Sequence, residues 1–401
     1  EKASRSIYVI NKAQSRLDNF TRSNLESIAG SASTLISDLQ VTDSAAADSL
    51  INWTRGVDVD DEDFDATTST RQFILGDPLH SRPLVINYGP PSGNANDAPD
   101  LRIIMGTNAG FLHMFKDSGS SIDESWAIIP YEFMANQKAL RENVESSTHI
   151  YGVDSSPVAL IKDANRNGVI KSSEGDFAWL FIGLRGGGKS YYAFNISNPD
   201  APALKWSISN QTTGFSQLGQ TWSVPEVAFI PGVTDPVLVF AGGYDLNKSN
   251  AGIGAGDSSG AGIYFINANT GALIFSATPA VASSSNLSVP GMTDSMPGTV
   301  ATLDSDGDGK IDRVYAGDTG GNIWRMDLSS TNKTEWSIYK FANLGSDSVQ
   351  SADRRFFTQP VIVRTINKEV TRTTVNGKDQ YTYKERSEEH TSELQSLSRI
   401  S

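Results

Sequence analysis

The chain contains 401 residues, of which 38% are hydrophobic and 20% charged, and its formal net charge is −13 at pH 7. This composition is typical of a globular protein, and the acidic balance argues against a nucleic-acid-binding surface, which requires basic residues. The lack of cysteine excludes disulfide bonds and thiolate-ligated metals. No apolar run is long enough to span a bilayer, so the sequence predicts no transmembrane segment.

The first 70 residues predict a helical lead-in followed by an acidic linker. Residues 4–39 lack strand patterning and carry Leu, Ile and Phe at roughly helical spacing, which predicts helix. Residues 43–56 predict a capped helix that ends at a glycine. Residues 57–70 are acidic and predict the linker. Because Glu1 is not a native start, we expect the natural protein to extend beyond this end.

Residues 71–385 carry a repeat that predicts a β-propeller. Each repeat opens on a proline followed by alternating apolar residues, and the prolines are Pro83, Pro157, Pro225, Pro297 and Pro360. An apolar strand, a glycine turn and an aromatic-rich strand follow each of the first four prolines. We therefore predict an all-β fold, an incomplete propeller of about four blades plus the start of a fifth. The alternative is a set of unrelated hairpins in a β-sandwich.

The strongest chemical signal is a run of carboxylates at every second position around Gly309. Calcium prefers about six to eight oxygen ligands, and this spacing matches the first nine positions of a calcium-binding loop. The position of the final glutamate in a helical calcium hand is taken by Tyr315, within a predicted strand, so this loop would join two strands. The alternative is a solvated acidic turn. The predicted ligands are the side chains of Asp304, Asp306, Asp308 and Asp312 and the backbone carbonyl of Lys310.

A second calcium loop is predicted at residues 163–174, again between two strands. It satisfies the twelve-residue pattern including the terminal glutamate. Two of its ligands are neutral amides and Arg166 lies inside the loop, so we expect weaker affinity than at the first loop. An Asn-Gly turn without metal is the alternative. The predicted ligands are Asp163, Asn165, Asn167, Val169 and Glu174.

No motif indicates catalysis. Residues 186–190 imitate part of a phosphate-binding loop, but a strand follows them where a helix is required, which predicts a hairpin turn. His80, His113 and His149 do not have metal-ligand spacing, and no nucleophile and base can be paired from the sequence. We therefore predict that the protein is not an enzyme.

The last residues do not match the repeat. Residues 386–396 correspond to one reading frame of a common DNA-sequencing adapter. We therefore interpret residues 386–401 as foreign to the natural protein and predict that they are disordered. The natural chain is expected to continue past Glu385 with other residues.

Several motifs resemble the C-terminal propeller of PilC/PilY-type type IV pilus proteins, over residues of about 45 to 365. They lie at residues 52–56, 75–83, 152–157 and, most specifically, 303–325. The resemblance implies that the aspartate loop binds calcium through the residues named above, and that the domain supports pilus extension, controls retraction and contributes to adhesion. It also implies pilins and pilus assembly components as partners, with host or abiotic surfaces as further targets. The implied location is the cell surface, pilus tip or outer membrane of a Gram-negative bacterium.

Two other classes of function stay open from the sequence. Quinoprotein dehydrogenases are calcium-containing propellers with a distantly similar blade pattern, but many use a vicinal cysteine pair, which this chain lacks. The other alternative is a structural propeller scaffold without a role in pili.

Overall fold

Strands dominate the protein, which a computed structural model describes over residues 5–92, 97–375 and 378–391. An N-terminal segment precedes four successive sheets, and a long hairpin follows them. The N-terminal segment contains β1 (Ile7–Asn11), β2 (Arg16–Asn19), α1 (Arg22–Ala29), α2 (Ala32–Asp38) and α3 (Ser44–Thr54).

The helix predicted over residues 4–39 is wrong in its first half, where β1 and β2 form an antiparallel hairpin. Residues 7–10 are Ile-Tyr-Val-Ile, a run rich in β-branched side chains that pack well in strands. The second half is helical, as predicted. There α1 and α2 begin after Thr21 and Ser31, whose hydroxyls accept hydrogen bonds from backbone N–H groups of the first turn.

The helix predicted over residues 43–56 is confirmed as α3. The Asp43 carboxylate accepts a hydrogen bond from the Ala46 N–H at 2.9 Å, and Gly56 follows the helix with a φ of +92°. Residues 57–70 form an irregular loop. In this loop Asp58 is buried, and its carboxylate accepts the N–H of Glu62 at 2.9 and 3.0 Å.

Four sheets follow, each built on four consecutive strands that pair antiparallel, and we number them as blades in chain order. Blade 1 contains β3 (Leu84–Asn87), β4 (Leu101–Gly106), β5 (Leu112–Asp117) and β6 (Ile122–Pro130), and α4 (Gln137–Glu142) comes after it. Blade 2 contains β7 (Val158–Lys162), β8 (Phe177–Gly183), β9 (Ser190–Asn195) and β10 (Ala203–Ser209). Blade 3 contains β11 (Glu226–Ala228), β12 (Val237–Ala241), β13 (Ile263–Asn267) and β14 (Leu273–Thr278), and α5 (Asn247–Ala251) lies between β12 and β13. A fifth strand, β15 (Asn286–Ser288), pairs with β14. Blade 4 contains β16 (Ala301–Leu303), β17 (Arg313–Gly317), β18 (Asn322–Asp327) and β19 (Ser337–Asn343).

The predicted repeat is confirmed by the strand order, since each blade is a four-stranded meander that begins shortly after a repeat proline. A proline at this point costs no ladder hydrogen bond. The fifth repeat proline, Pro360, precedes the hairpin of β20 (Ile362–Val375) and β21 (Lys378–Thr391). Residues 386–391, predicted to be disordered, instead belong to β21, because their backbone continues the pairing with β20. Residues 392–401 lie outside the described residues.

The N-terminal segment shares one hydrophobic core with blades 1 and 2. Strand β1 pairs in parallel with β6, with Ile7 opposite Ala127, and extends blade 1 to a six-stranded sheet. Leu25 of α1 and Leu50 of α3 are buried in the same cluster as Ile182 of blade 2. A separate core cluster spans blades 3 and 4 and supports the loop described next.

Candidate metal centre

The aspartate loop at residues 304–312 connects β16 to β17, the first and second strands of blade 4. Its end is fixed to the blade: the Asp312 N–H donates to the Leu303 carbonyl at 2.8 Å, and the Ile311 N–H donates to the Phe229 carbonyl at 2.9 Å. Ile311 is buried in the core cluster of blades 3 and 4. The loop therefore rests on the folded blade and projects only its acidic turn.

Three of the predicted ligands come together in this loop. Asp304, Asp306 and Asp312 each offer a carboxylate oxygen, and these oxygens lie within 4.8 Å of one another. Backbone N–H groups orient the first carboxylate, since Asp304 accepts from Gly307 at 2.6 Å and from Gly309 at 2.9 Å. These hydrogen bonds favour the ionised form and hold the pKa of Asp304 below its usual range. The arrangement concentrates negative charge on a small volume.

Asp308 and Lys310, the other predicted ligands, lie outside that group of three carboxylates. The Asp308 carboxylate accepts the Lys310 N–H at 2.8 Å, and its second oxygen lies 3.5 Å from the Lys310 ammonium. Both residues are at the solvent-facing side of the turn, where Gly309 has a φ of +85°. That left-handed conformation lets the chain turn sharply at this glycine.

The second predicted loop, at residues 163–174, occupies the same place in blade 2, between its first and second strands β7 and β8. Asp163 accepts the Gly168 N–H at 2.8 Å, as Asp304 accepts the Gly309 N–H. The next two predicted ligands repeat the pattern: Asn165 accepts the Asn167 N–H at 3.1 Å, as Asp306 accepts the Asp308 N–H at the same distance. The two loops therefore have matching backbone conformations.

Glu174, on a short 3-10 helix, completes the second loop with its side chain. Its carboxylate accepts the amide groups of Asn165 and Asn167 at 2.5 and 2.9 Å. The predicted carbonyl donor, Val169, is buried, and its N–H donates to the Asn167 amide oxygen at 2.8 Å. The structure thus brings all five predicted ligands into one hydrogen-bonded group.

Asp176 is a residue of this loop that the sequence analysis missed. It directly precedes β8, as Asp312 directly precedes β17. Its carboxylate accepts the Ala164 N–H at 2.8 Å, and the Asp312 carboxylate accepts the corresponding Ser305 N–H at 2.7 Å. An aspartate immediately before the second blade strand is the sequence signal that both loops share.

A third acidic group lies in the loop at residues 57–70, which the sequence analysis interpreted as a linker. Carboxylate oxygens of Asp58, Asp61 and Asp63 lie within 4.8 Å of one another. Their spacing does not match the template of alternating ligands, and only the folding of the loop brings them together.

His80, His113 and His149 lie apart from the aspartate loops, and each is paired with an acid. His80 contacts Asp154 at 2.8 Å, and His113 contacts Glu124 at 2.8 Å. His149 lies 3.4 Å from Asp77. Among the described residues, the groups of three or more acidic or histidine side chains that could hold a metal contain no histidine. These pairs are polar contacts of blades 1 and 2.

The fold and the loops together define a class, a β-propeller domain with acidic loops between the first and second strands of two of its blades. A family model described as the PilY1 beta-propeller domain matches residues 85–374 of the chain. The chain belongs to this family, and the resemblance noted from the sequence motifs is confirmed.

Similar proteins come from two bacterial species. The type IV pilus biogenesis factor PilY1 of Pseudomonas aeruginosa (strain UCBPP-PA14) is 29% identical over 83% of this chain and 27% of its own length. A PilY1 homolog of Xylella fastidiosa is 26% identical over 76% of this chain and 21% of its own length. This chain therefore spans about a quarter of the length of the curated relatives it matches.

Among solved structures, the chain is similar to the crystal structure of the Pseudomonas aeruginosa PilY1 C-terminal domain. It is similar with a TM-score of 0.45 and 23% sequence identity, over 68% of this chain and 51% of that chain. Across the part of our structure that is described, the helices are too short or too polar to cross a membrane.

Proposed function

We propose that this chain is the calcium-binding propeller domain of a type IV pilus biogenesis protein. Family membership and the names of the relatives, which are type IV pilus biogenesis factors, support the pilus role. The observation that carries the calcium assignment is the convergence of Asp304, Asp306 and Asp312 within 4.8 Å. Carboxylate oxygens are the ligands that a hard cation such as calcium prefers.

Calcium at this loop would neutralise carboxylates that otherwise repel one another. Asp308 and the Lys310 carbonyl complete the proposed ligand set, which requires the Asp308 side chain to turn away from the Lys310 ammonium. Because the loop joins the first two strands of blade 4, bound calcium stabilises that blade by mass action. Extracellular calcium modules bind with dissociation constants of about 10⁻⁴ to 10⁻³ M, so a modest affinity serves outside the cell.

The loop at residues 163–174 is proposed as a second, weaker calcium site. Its ligands are those predicted from the sequence, Asp163, Asn165, Asn167, Val169 and Glu174, together with Asp176, which occupies the place of Asp312. Two neutral amides replace two carboxylates of the first loop. The lower charge reduces the attraction for a divalent cation.

The proposed cellular role is support of pilus extension, retraction control and surface adhesion. The partners are pilins and other pilus assembly components, and the location is the surface, pilus tip or outer membrane of a Gram-negative bacterium. The curated relatives are named biogenesis factors, which supports a role in assembly and not in catalysis.

Calorimetric titration with calcium tests the binding. Asp306→Asn should weaken the tighter of two binding events by at least about tenfold, which corresponds to about 1.4 kcal/mol. Asp163→Asn should affect only the weaker event. Asp123→Asn, the same charge change at an exposed strand position of blade 1, is the matched control and should leave both unchanged. Equal calcium affinity in the parent and Asp306→Asn would refute the site.

Pilus function is tested in the bacterium that carries the gene. The gene is replaced by an Asp312→Ala variant, and surface pili are counted by electron microscopy while twitching is measured on agar. We expect changed piliation or twitching with normal amounts of folded protein. Parental piliation and twitching, together with demonstrated loss of calcium binding, would limit calcium to a structural role. Normal pili in a strain without the gene would refute the pilus role itself.

A further inference from the structure

A cavity of about 640 Å³ lies where the blades begin. Residues just before the first strands β3, β7, β11, β16 and β20 line it, so the proline-led motif of every repeat contributes to one chamber. Sites for small organic ligands typically have volumes of about 300–1,000 Å³, with a few placed polar groups on an otherwise apolar lining. The aspartate loops contribute no residue to this chamber.

Ser155 gives the chamber a polar group without a partner. The residue is 1% exposed and lies in the lining, yet its Oγ makes no hydrogen bond. A buried hydroxyl without a partner is destabilising, and most buried side-chain polar atoms in proteins are paired. The neighbouring Ser156 hydroxyl is used within the fold, since it accepts the Arg82 N–H at 3.1 Å. The Ser155 hydroxyl is therefore available to a ligand.

The charges in the lining leave one cation unpaired. The buried Asp154 carboxylate is neutralised by Arg185, 3.1 Å away, and contacts His80 at 2.8 Å. The Glu226 carboxylate accepts a hydrogen bond from the Gln359 amide at 3.2 Å, and burial raises its pKa above the usual range. The Arg82 guanidinium is exposed, and no side chain or carbonyl among the described residues pairs with it. The unpaired Arg82 guanidinium can therefore pair with one negative charge on a ligand.

Aromatic side chains form the apolar part of the lining. The Arg185 guanidinium lies 4.0 Å over the Trp222 ring, and the Phe357 ring is 6.2 Å from the Trp222 ring and 41% exposed. Arg185 has a φ of +51°, a left-handed conformation that is unfavourable for a residue with a side chain. Such conformations concentrate at binding sites, where the surrounding structure enforces them.

We propose that this chamber binds a small organic ligand that carries one carboxylate. Arg82 pairs with the carboxylate through two parallel hydrogen bonds, a geometry that the planar guanidinium favours. The Ser155 hydroxyl donates a further hydrogen bond, and the body of the ligand packs against Trp222 and Phe357. An aromatic acid and an acidic sugar both have this chemistry.

Calorimetry on the 401-residue chain distinguishes an aromatic acid from an acidic sugar as the ligand. Benzoate and glucuronate are titrated beside their neutral counterparts, benzyl alcohol and glucose. Binding of benzoate alone assigns an aromatic acid, and binding of glucuronate alone assigns an acidic sugar. Arg82→Ala should lower the affinity for the acid that binds by about tenfold. Arg16→Ala, at a side chain 61% exposed on β2, is the control and should have no effect. Failure of both acids to bind, or equal binding of the neutral counterparts, overturns the proposal.

Ser155→Ala provides a second test that does not depend on loss of folding. Because the buried Oγ is unpaired, its removal should leave the melting temperature at or above that of the parent. The affinity for the acid should fall severalfold in the same variant. A lower melting temperature would show that the hydroxyl serves the fold. Either that result or an unchanged affinity would overturn its role as a ligand contact.

Discussion

Glu124 is expected to attach the N-terminal segment to blade 1 in a pH-dependent manner. Its carboxylate accepts two hydrogen bonds from the Arg5 guanidinium, at 2.6 and 2.9 Å, and one from His113 Nδ1 at 2.8 Å. Burial alone would raise the pKa of Glu124, but the hydrogen bonds from His113 and Arg5 outweigh it and lower the pKa from 4.5 to about 2. Burial also lowers the pKa of His113 below its usual range, and the Glu124 carboxylate acts against this shift.

The lowered pKa translates into a stability that depends on ionisation. At about 1.4 kcal/mol per pKa unit, ionised Glu124 stabilises the folded state by about 3 kcal/mol at neutral pH. Because the folded-state pKa lies below the unfolded-state value, this contribution is present above 4.5 and is lost as the pH falls towards about 2. Between about pH 7 and about pH 3.5 the contribution should fall by about 1.4 kcal/mol.

Urea unfolding of the parent and of Glu124→Gln, at about pH 7 and about pH 3.5, measures this contribution of Glu124 to the free energy of unfolding. The variant cannot ionise, so the free-energy difference between parent and variant should shrink by that amount at the lower pH. Asp123→Asn, on the neighbouring exposed position, should differ little from the parent at either pH. A difference of the same size at both pH values would refute the reasoning, because it would mean that the packing of Glu124 matters and its charge does not.

Two further predictions concern backbone contacts and buried donors. Gly89 and Gly119 both have a φ of +79°. A Cβ added at Gly89 would lie 2.3 Å from the Gly168 carbonyl oxygen, whereas none of the described atoms comes within 4 Å of a Cβ added at Gly119. Gly89→Ala should therefore cost about 1–3 kcal/mol more than Gly119→Ala in thermal unfolding, and equal costs would contradict the contact. Asp318→Ala removes the acceptor of the buried Trp324 indole N–H at 2.7 Å and of further buried N–H groups, so it should destabilise blade 4 by at least about 3 kcal/mol. Urea unfolding followed by tryptophan fluorescence would show this, and a loss below about 1 kcal/mol would contradict it.

The blades could be predicted from the sequence because their signals are local. A proline before the first strand and glycines between the next strands act within a few residues, and the four meanders follow. The N-terminal hairpin was missed for the opposite reason. Besides the adjacent β2, β1 pairs with β6, more than a hundred residues away. That distant pairing leaves no local signal, and the helical spacing outweighs the β-branched run.

The candidate sites were predictable to the extent that ligand spacing is regular. The alternating aspartates at 304, 306 and 312 match a known template, and the structure brings them together. Asp176 lies beyond the twelve positions of that template, so spacing alone missed it, although its place before β8 matches that of Asp312. The group of Asp58, Asp61 and Asp63 depends on the course of an irregular loop, which no periodicity encodes.

The parallel pairing of β1 with β6 has a consequence for how the domain can be divided. Without residues 7–19, the β6 backbone from residue 127 to residue 130 would become an unpaired sheet edge, and this edge includes the apolar residues Ile128 and Ile129. An open, apolar edge of this kind is a template for pairing with another chain. A fragment that starts at residue 71 would thus have the complete strand set of blade 1 and still aggregate. The first strand of the chain protects the propeller from association with its own copies.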